Sequence, residues 1–304
     1  MKRSLIKQRT AYTVTLPVDW IRERHLEPGD LLDIAEDQNA LVLNATQKHV
    51  PQKASLALEE SVDDYYRIMV ENHYLKGYDV LELSYAQENA YPIIETVVSN
   101  LIGLEIVEQK KGYCKIIATA LPSSEDFPTL LKRCFHIISY TQELVLQAMR
   151  KQQPPPLDEV EKLSRDARRL LLFCMRTLHK TQLVPRGEES FLHLLLERLI
   201  LIEHDHLYLS RKLHKIPRRK LRPEVVGLYE KASRMFILFR DMFFKKDLAH
   251  FATINKYWKQ IYFSEGHDLF EGCTRAESIA IYHAMHLSKL VFLIAQPNLT
   301  LQKI

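Results

Sequence analysis

Leu192-His193-Leu194-Leu195-Leu196-Glu197-Arg198-Leu199-Ile200-Leu201-Ile202-Glu203-His204-Asp205-His206-Leu207-Tyr208-Leu209 is the stretch on which the fold turns. Leu192, Leu195, Leu199, Ile202, His206, Leu209 and then Leu213 recur at steps of three and four, which puts them on one face of a helix. The same stripe repeats on either side. Upstream it runs through Leu130, Cys134, Ile137, Ile138, Thr141, Val145 and Ala148, then through Val160, Leu163, Ala167, Leu170, Leu171, Cys174 and Leu178. Downstream come Val225, Leu228, Ala232, Met235, Phe239 and Met242, then Ile254, Trp258 and Ile261, and last a helix from about Ala276 to Gln296. Pro154-Pro155-Pro156, Pro185-Arg186-Gly187 and Pro217 to Pro223 interrupt the pattern where helices must end. Two rounds of three helices, 123–216 and 222–297, predict a pair of three-helix bundles spanning 123–304.

Composition agrees. Eight glycines in 304 residues fall well under the usual ~7%, which disfavours an all-β sandwich or a Gly-rich nucleotide binder. The formal charge is only +4, too small a surplus, if evenly spread, to announce a nucleic-acid binder. Cys114, Cys134, Cys174 and Cys273 show no CxxC pairing and read as buried thiols in a reducing compartment. Apolar runs such as Leu290 to Ala295 stop short of a span, and no apolar h-region follows Met1-Lys2-Arg3. A cytoplasmic chain without membrane insertion is expected. It lacks the G-x-x-x-x-G-K-[ST], G-x-S-x-G and HExxH patterns, so no enzyme and no cofactor are expected.

Residues 48–122 read as a small α+β segment. It has a helix from Glu59 to Lys76, a strand from Asp79 to Leu83 and a helix from Tyr91 to Leu101. A hairpin, Leu104–Glu108 with Tyr113–Ala118, then turns at Lys110-Lys111-Gly112.

Residues 1–47 differ from everything after them. Tyr12, Val14 and Leu16 alternate with Thr13 and Thr15 as in a half-buried strand, preceded by a weaker one at Ser4 to Gln8. Pro17 opens a short helix, Val18 to His25, and Pro28-Gly29 sits where a type II turn wants it. Strands at Leu31–Ala35 and Ala40–Asn44 complete the segment. Four short strands and a short helix cannot bury enough to stand alone, and a second copy is the simplest partner. With Tyr12-Thr13-Val14-Thr15-Leu16-Pro17, Trp20, Leu26-Glu27-Pro28-Gly29-Asp30 and Leu41-Val42-Leu43, the segment resembles the SpoVT/AbrB-type swapped-hairpin domain. That resemblance implies a half β-barrel, completed by homodimerisation through 1–47, that binds DNA. The family's Gly-Gly before the Tyr is replaced here by Gln8-Arg9.

Charge is segregated within this segment. Lys2, Arg3, Lys7, Arg9, Arg22 and Arg24 face only Asp19 and Glu23, whereas Glu27, Asp30, Asp33, Glu36 and Asp37 follow without a base. Arg3, Lys7, Arg9, Arg22 and Arg24 are the expected DNA contacts.

The remainder resembles the PhoU family of phosphate-uptake regulators, in its archaeal-type form with an AbrB-like domain in front. The residues are Tyr74-Leu75-Lys76-Gly77-Tyr78-Asp79-Val80, Leu101-Ile102-Gly103-Leu104-Glu105-Ile106, Glu203-His204-Asp205-His206 and Ile294-Ala295. The resemblance implies regulation of phosphate uptake and a transporter ATPase or sensor kinase as a protein partner. It also implies paired acids for a metal cluster. Here Leu201 stands four before Asp205, Met285 and Lys289 occupy the matching positions of the second repeat, and Arg165 and Arg168 those of the second helix. Cations there oppose a metal cluster. If a metal is held, the candidates are Asp205, His193, Glu197 and His204, the two histidines and Glu197 sharing a helix face. The densest basic run contains Arg211, Lys212, Lys215, Arg218, Arg219, Lys220 and Arg222, without interleaved aromatics, and is either a solvated loop or a site for an anionic partner. The expected function is a DNA-binding regulator of phosphate homeostasis. The alternative is a dimeric adaptor that does not bind DNA and acts on a transporter or sensor kinase by protein contact.

Overall fold

A computed structural model describes residues 2–37, 40–45, 51–59, 63–87, 89–120, 122–181, 183–184, 187–216 and 220–300. Helix accounts for 61% and strand for 14%, so the chain is mainly α with a small amount of sheet near its N-terminus. It divides into two compact units, Met1–Gln52 and Lys53–Ile304.

The first unit holds two separate hairpins. β1 (Ile6–Gln8) pairs antiparallel with β2 (Ala11–Thr13), placing Lys7 opposite Tyr12. Arg9, at the first position of the two-residue loop, has φ 52°, a left-handed conformation that a side chain disfavours. α1 (Val18–Glu23) begins after Pro17 and stops two residues before the sequence suggests. His25 turns left-handed (φ 51°), its N–H donating to Arg22 O while Leu26 N–H donates to Ile21 O, a closure that usually uses glycine. Gly29 then takes φ 104° with Asp30 N–H donating to Glu27 O, the type II turn expected of Pro28-Gly29. β3 (Leu32–Asp37) and β4 (Ala40–Ala45) form the second hairpin.

The second unit begins with a strand that the sequence reading missed. β5 (Lys53–Leu58) alternates Ala54, Leu56 and Leu58 inward, and through α2 (Asp63–Leu75) it lies parallel to β6 (Val80–Tyr85). α3 (Ala90–Ser99), β7 (Leu104–Lys110) and β8 (Tyr113–Ala118) follow, giving a sheet ordered β5-β6-β8-β7. Leu58, Leu81, Leu83, Cys114 and Ile116 on one face share a core with Tyr66, Val70 and Tyr74 of α2 and Ile94 and Val98 of α3. Burial pushes the Cys114 thiol up to about 11, and all four cysteines are free.

Six principal helical segments complete this unit: α4 (Phe127–Arg150), α5 (Leu157–Lys180), α6 (Glu189–His214), α7 (Pro223–Lys245), α8 (His250–Gln260) and α10 (Arg275–Ala295). The predicted core positions of α6 and α7 are all buried. The order of three helices and then three matches the periodicity, with one irregularity. After α8 comes a π-turn, Ile261–Glu265, and a three-residue α9 (Gly266–Asp268). A Cβ on Gly266 would lie 2.5 Å from Ile261 O and 2.7 Å from Met285 Sδ, so only glycine permits this approach to α10. Among the described residues one helical stretch, Arg275–Leu299, is long and apolar enough to cross a membrane by composition, unlike the short runs noted in the sequence. Within it 61% of the most apolar window is buried against the rest of the protein.

A buried charged joint links the α/β segment to the helices within this unit. Arg176 of α5 is only 1% exposed. It donates to Asp79 Oδ1 at 2.9 Å and to Tyr74 O at 2.6 Å, with its guanidinium 4.8 Å from the Tyr74 ring centre. One turn on, Lys180 donates to Gly77 O and to the same Asp79 oxygen. Nearer the middle of α5, Arg168 reaches Glu71 at 2.8 Å.

Candidate functional site

Within the first unit, Arg3, Lys7, Arg9 and Arg22 are exposed. Lys7 projects from the hairpin beside Tyr12, Arg9 occupies its tip, and Arg22 lies in the last turn of α1. Arg24 differs from the others: it is half-buried, stacked 4.8 Å from the Trp20 ring centre and 3.6 Å from Glu23. No described side chain of this unit is buried. Leu31 is 81% exposed, Leu41 66%, Ile34 63% and Tyr12 60%, an apolar surface that a water-soluble unit normally covers.

The basic run 211–222, read as either a solvated loop or a site for an anionic partner, is partly engaged within the fold. Arg211 pairs with Glu161 at 2.9 Å. Arg222 starts α7 and is held by Glu277 Oε1, through both its backbone N–H and its Nε, and by Leu269 O. Glu277 in turn closes a capping box with Thr274 at the start of α10. Lys212, Lys215 and Lys220 are exposed. Arg218 and Arg219 lie outside the described residues.

The metal candidates do not converge. His193 and Glu197 approach to 3.5 Å, with His193 against the His179 ring. His204 sits eleven positions further along the same face, about 16 Å away on a helix rising 1.5 Å per residue, exposed beside Tyr208. Asp205 points elsewhere. Among the described residues no three His, Cys, Asp or Glu side chains are grouped to hold a metal ion.

What the structure assembles instead is a polar hub on α6. Glu203, Asp205 and His206 are all buried and reach three different helices. Asp205 Oδ1 accepts from Nδ1 of both His283 (2.8 Å) and His286 (2.9 Å) on α10. Burial raises the Asp205 carboxyl, but the two imidazole donors outweigh it and leave the group below its ordinary value. His206 Nδ1 lies 2.8 Å from the Tyr229 hydroxyl on α7. Complete burial holds His206 down to about 4, hence neutral. Burial drives the Glu203 carboxyl well above its ordinary range, partly offset by Thr141 of α4, which favours its protonated form. Asp205 Oδ2, His206 Nε2 and both Glu203 oxygens are buried without a hydrogen-bond partner by geometry. Such orphans are costly, and their concentration here marks the hub as more than packing.

Sequence reasoning singled out Glu203 to His206 but missed His283 and His286. The available signal was an i,i+3 histidine pair on an otherwise apolar helix. No family model, curated protein or solved structure matches the chain.

Proposed function

We propose that the protein is a DNA-binding regulator of phosphate uptake or phosphate homeostasis, with an AbrB-like head at 1–47 and a PhoU-like helical body. The observation that carries the DNA reading is the surface of the first unit: Lys7, Arg9 and Arg22 stand exposed on a unit that also leaves Tyr12, Leu31, Ile34 and Leu41 exposed. Pairing with a second copy covers those apolar residues and doubles the cations on one assembly. The phosphate assignment rests on the sequence resemblance, with the α6 hub as the part of the body able to couple α4, α7 and α10.

If two protomers each bring Lys7, Arg9 and Arg22 to the backbone, affinity falls about a thousandfold between 50 and 200 mM salt. Fluorescence anisotropy with duplex DNA at these two concentrations measures it. Arg22→Glu abolishes binding, and Arg9→Gly weakens it while relieving the left-handed backbone strain. Absence of binding by the intact chain at low salt refutes the reading and leaves the adaptor.

A further inference from the structure

We propose that the cleft between α4 and α7 binds a small zwitterion, an α-amino acid or a similar amine-carboxylate. The cleft is open to solvent and has a volume of about 530 Å³, within the range of small-molecule sites, and neither the DNA reading nor the hub accounts for it.

Three features argue for a ligand. First, Gly227 faces the cleft from within α7, where glycine is a poorer helix former than alanine. No packing demands it, since a Cβ there would meet nothing within 4 Å. Its effect is to keep the cleft open. Second, the floor holds a buried polar atom without a partner by geometry, Gln142 Oε1. Gln142 already donates its amide to Ser233 O at 3.1 Å, so its free oxygen calls for a donor. Third, the rim charges leave a complementary remainder. Arg150 is matched by Glu230 at 2.7 Å and Lys231 by Glu265 at 2.6 Å. Arg234 has no ion pair among the described residues, and Glu143 takes only the amide of Gln147.

One unmatched cation, one unmatched carboxylate and a buried acceptor describe the negative of a zwitterion. The ligand's carboxylate meets the Arg234 guanidinium, and its ammonium donates to Gln142 Oε1 and the Glu143 carboxylate. A dianion would meet Glu143 and Glu230, and a neutral apolar molecule would leave Gln142 unsatisfied. Ser233 lies one turn from Tyr229 on α7, so occupancy would be felt at His206.

Isothermal titration of the full chain with each standard amino acid at millimolar concentration tests this. At least one should bind saturably, while its N-acetyl and carboxamide derivatives each bind at least about tenfold more weakly. Gly227→Leu should abolish binding while Tm holds or rises, because leucine is the better helix former. Exposed Arg234→Gln should weaken binding about tenfold without unfolding the protein. No binding by any amino acid, equal binding of the blocked derivatives, or unchanged affinity in both variants overturns the proposal. None of these readouts involves DNA, so this proposal and the DNA reading can fail separately.

Discussion

Residues 2–45 and residues 53–300 solve the same problem in opposite ways. The second unit buries charge as well as apolar surface: Arg176, Asp79 and Asp205 are all inside it. The first unit buries nothing that the structure describes, leaving Leu31, Ile34 and Leu41 to solvent. A two-stranded hairpin is marginal in water, so the first unit depends on what it meets. The second is held by its own interior, including ion pairs whose loss would be severe.

The largest effect should follow from breaking that interior at its charged joint. Asp79→Ala leaves Arg176 and Lys180 without their shared carboxylate and should cost about 3–5 kcal/mol in urea unfolding. A loss under about 1 kcal/mol would show that the joint does not hold the α/β segment to the helices.

Next comes pH. His206 is held near 4 by burial, below the ordinary 6.5. The folded form therefore binds fewer protons than the unfolded one between those values, and stability drops as pH falls through that window, by up to roughly 3 kcal/mol. Glu203 opposes this: its raised value means the folded form keeps a proton that the unfolded form releases above 4.5, so its contribution declines as pH rises. Glu203→Gln should therefore steepen the acid-side fall in Tm, and adding His206→Gln should flatten it. A Tm independent of pH in the single variant would remove the hub from the account. Asp205, already below 3.8, titrates outside this window.

The smallest effect sharpens the contrast most directly. Ile34→Asp alters a side chain 63% exposed in the single chain, so an isolated protomer should tolerate it. If a second copy covers it, about 1.5–3 kcal/mol of burial per protomer is lost, and light scattering should show the mass halved at micromolar concentration. An unchanged mass would mean that the apolar face is covered by something else.

Much of this was legible beforehand, and the failures share a cause. The stripes of α6 and α7 were readable because a helix repeats its buried face locally, within two turns. The Pro28-Gly29 turn was readable because φ preferences are local too. β5 escaped because a short alternating run gains its identity by pairing with β6 across α2. Arg176 drew no reading from the sequence, and Arg168 was read only as a cation opposing a metal cluster. Only the docking of α2 decides that Arg176 is buried on Asp79 and that Arg168 meets Glu71. The shared face of His193, Glu197 and His204 was a correct helical projection, but angular agreement says nothing about separation along the axis.

By itself, then, the sequence determined that this chain is mostly amphipathic helix in two rounds of three, preceded by a short, coreless, charge-segregated segment. Those properties follow from residue order over a turn or a hairpin. Only the tertiary structure decided that Asp205 faces two histidines 78 and 81 positions later. It alone placed Gly227 over a cleft and withdrew Arg222 from any anion site by tying it to Glu277. Such pairings depend on which helix faces lie against each other, and burial fixes that collectively, by minimising exposed apolar area and unsatisfied polar groups over the whole unit.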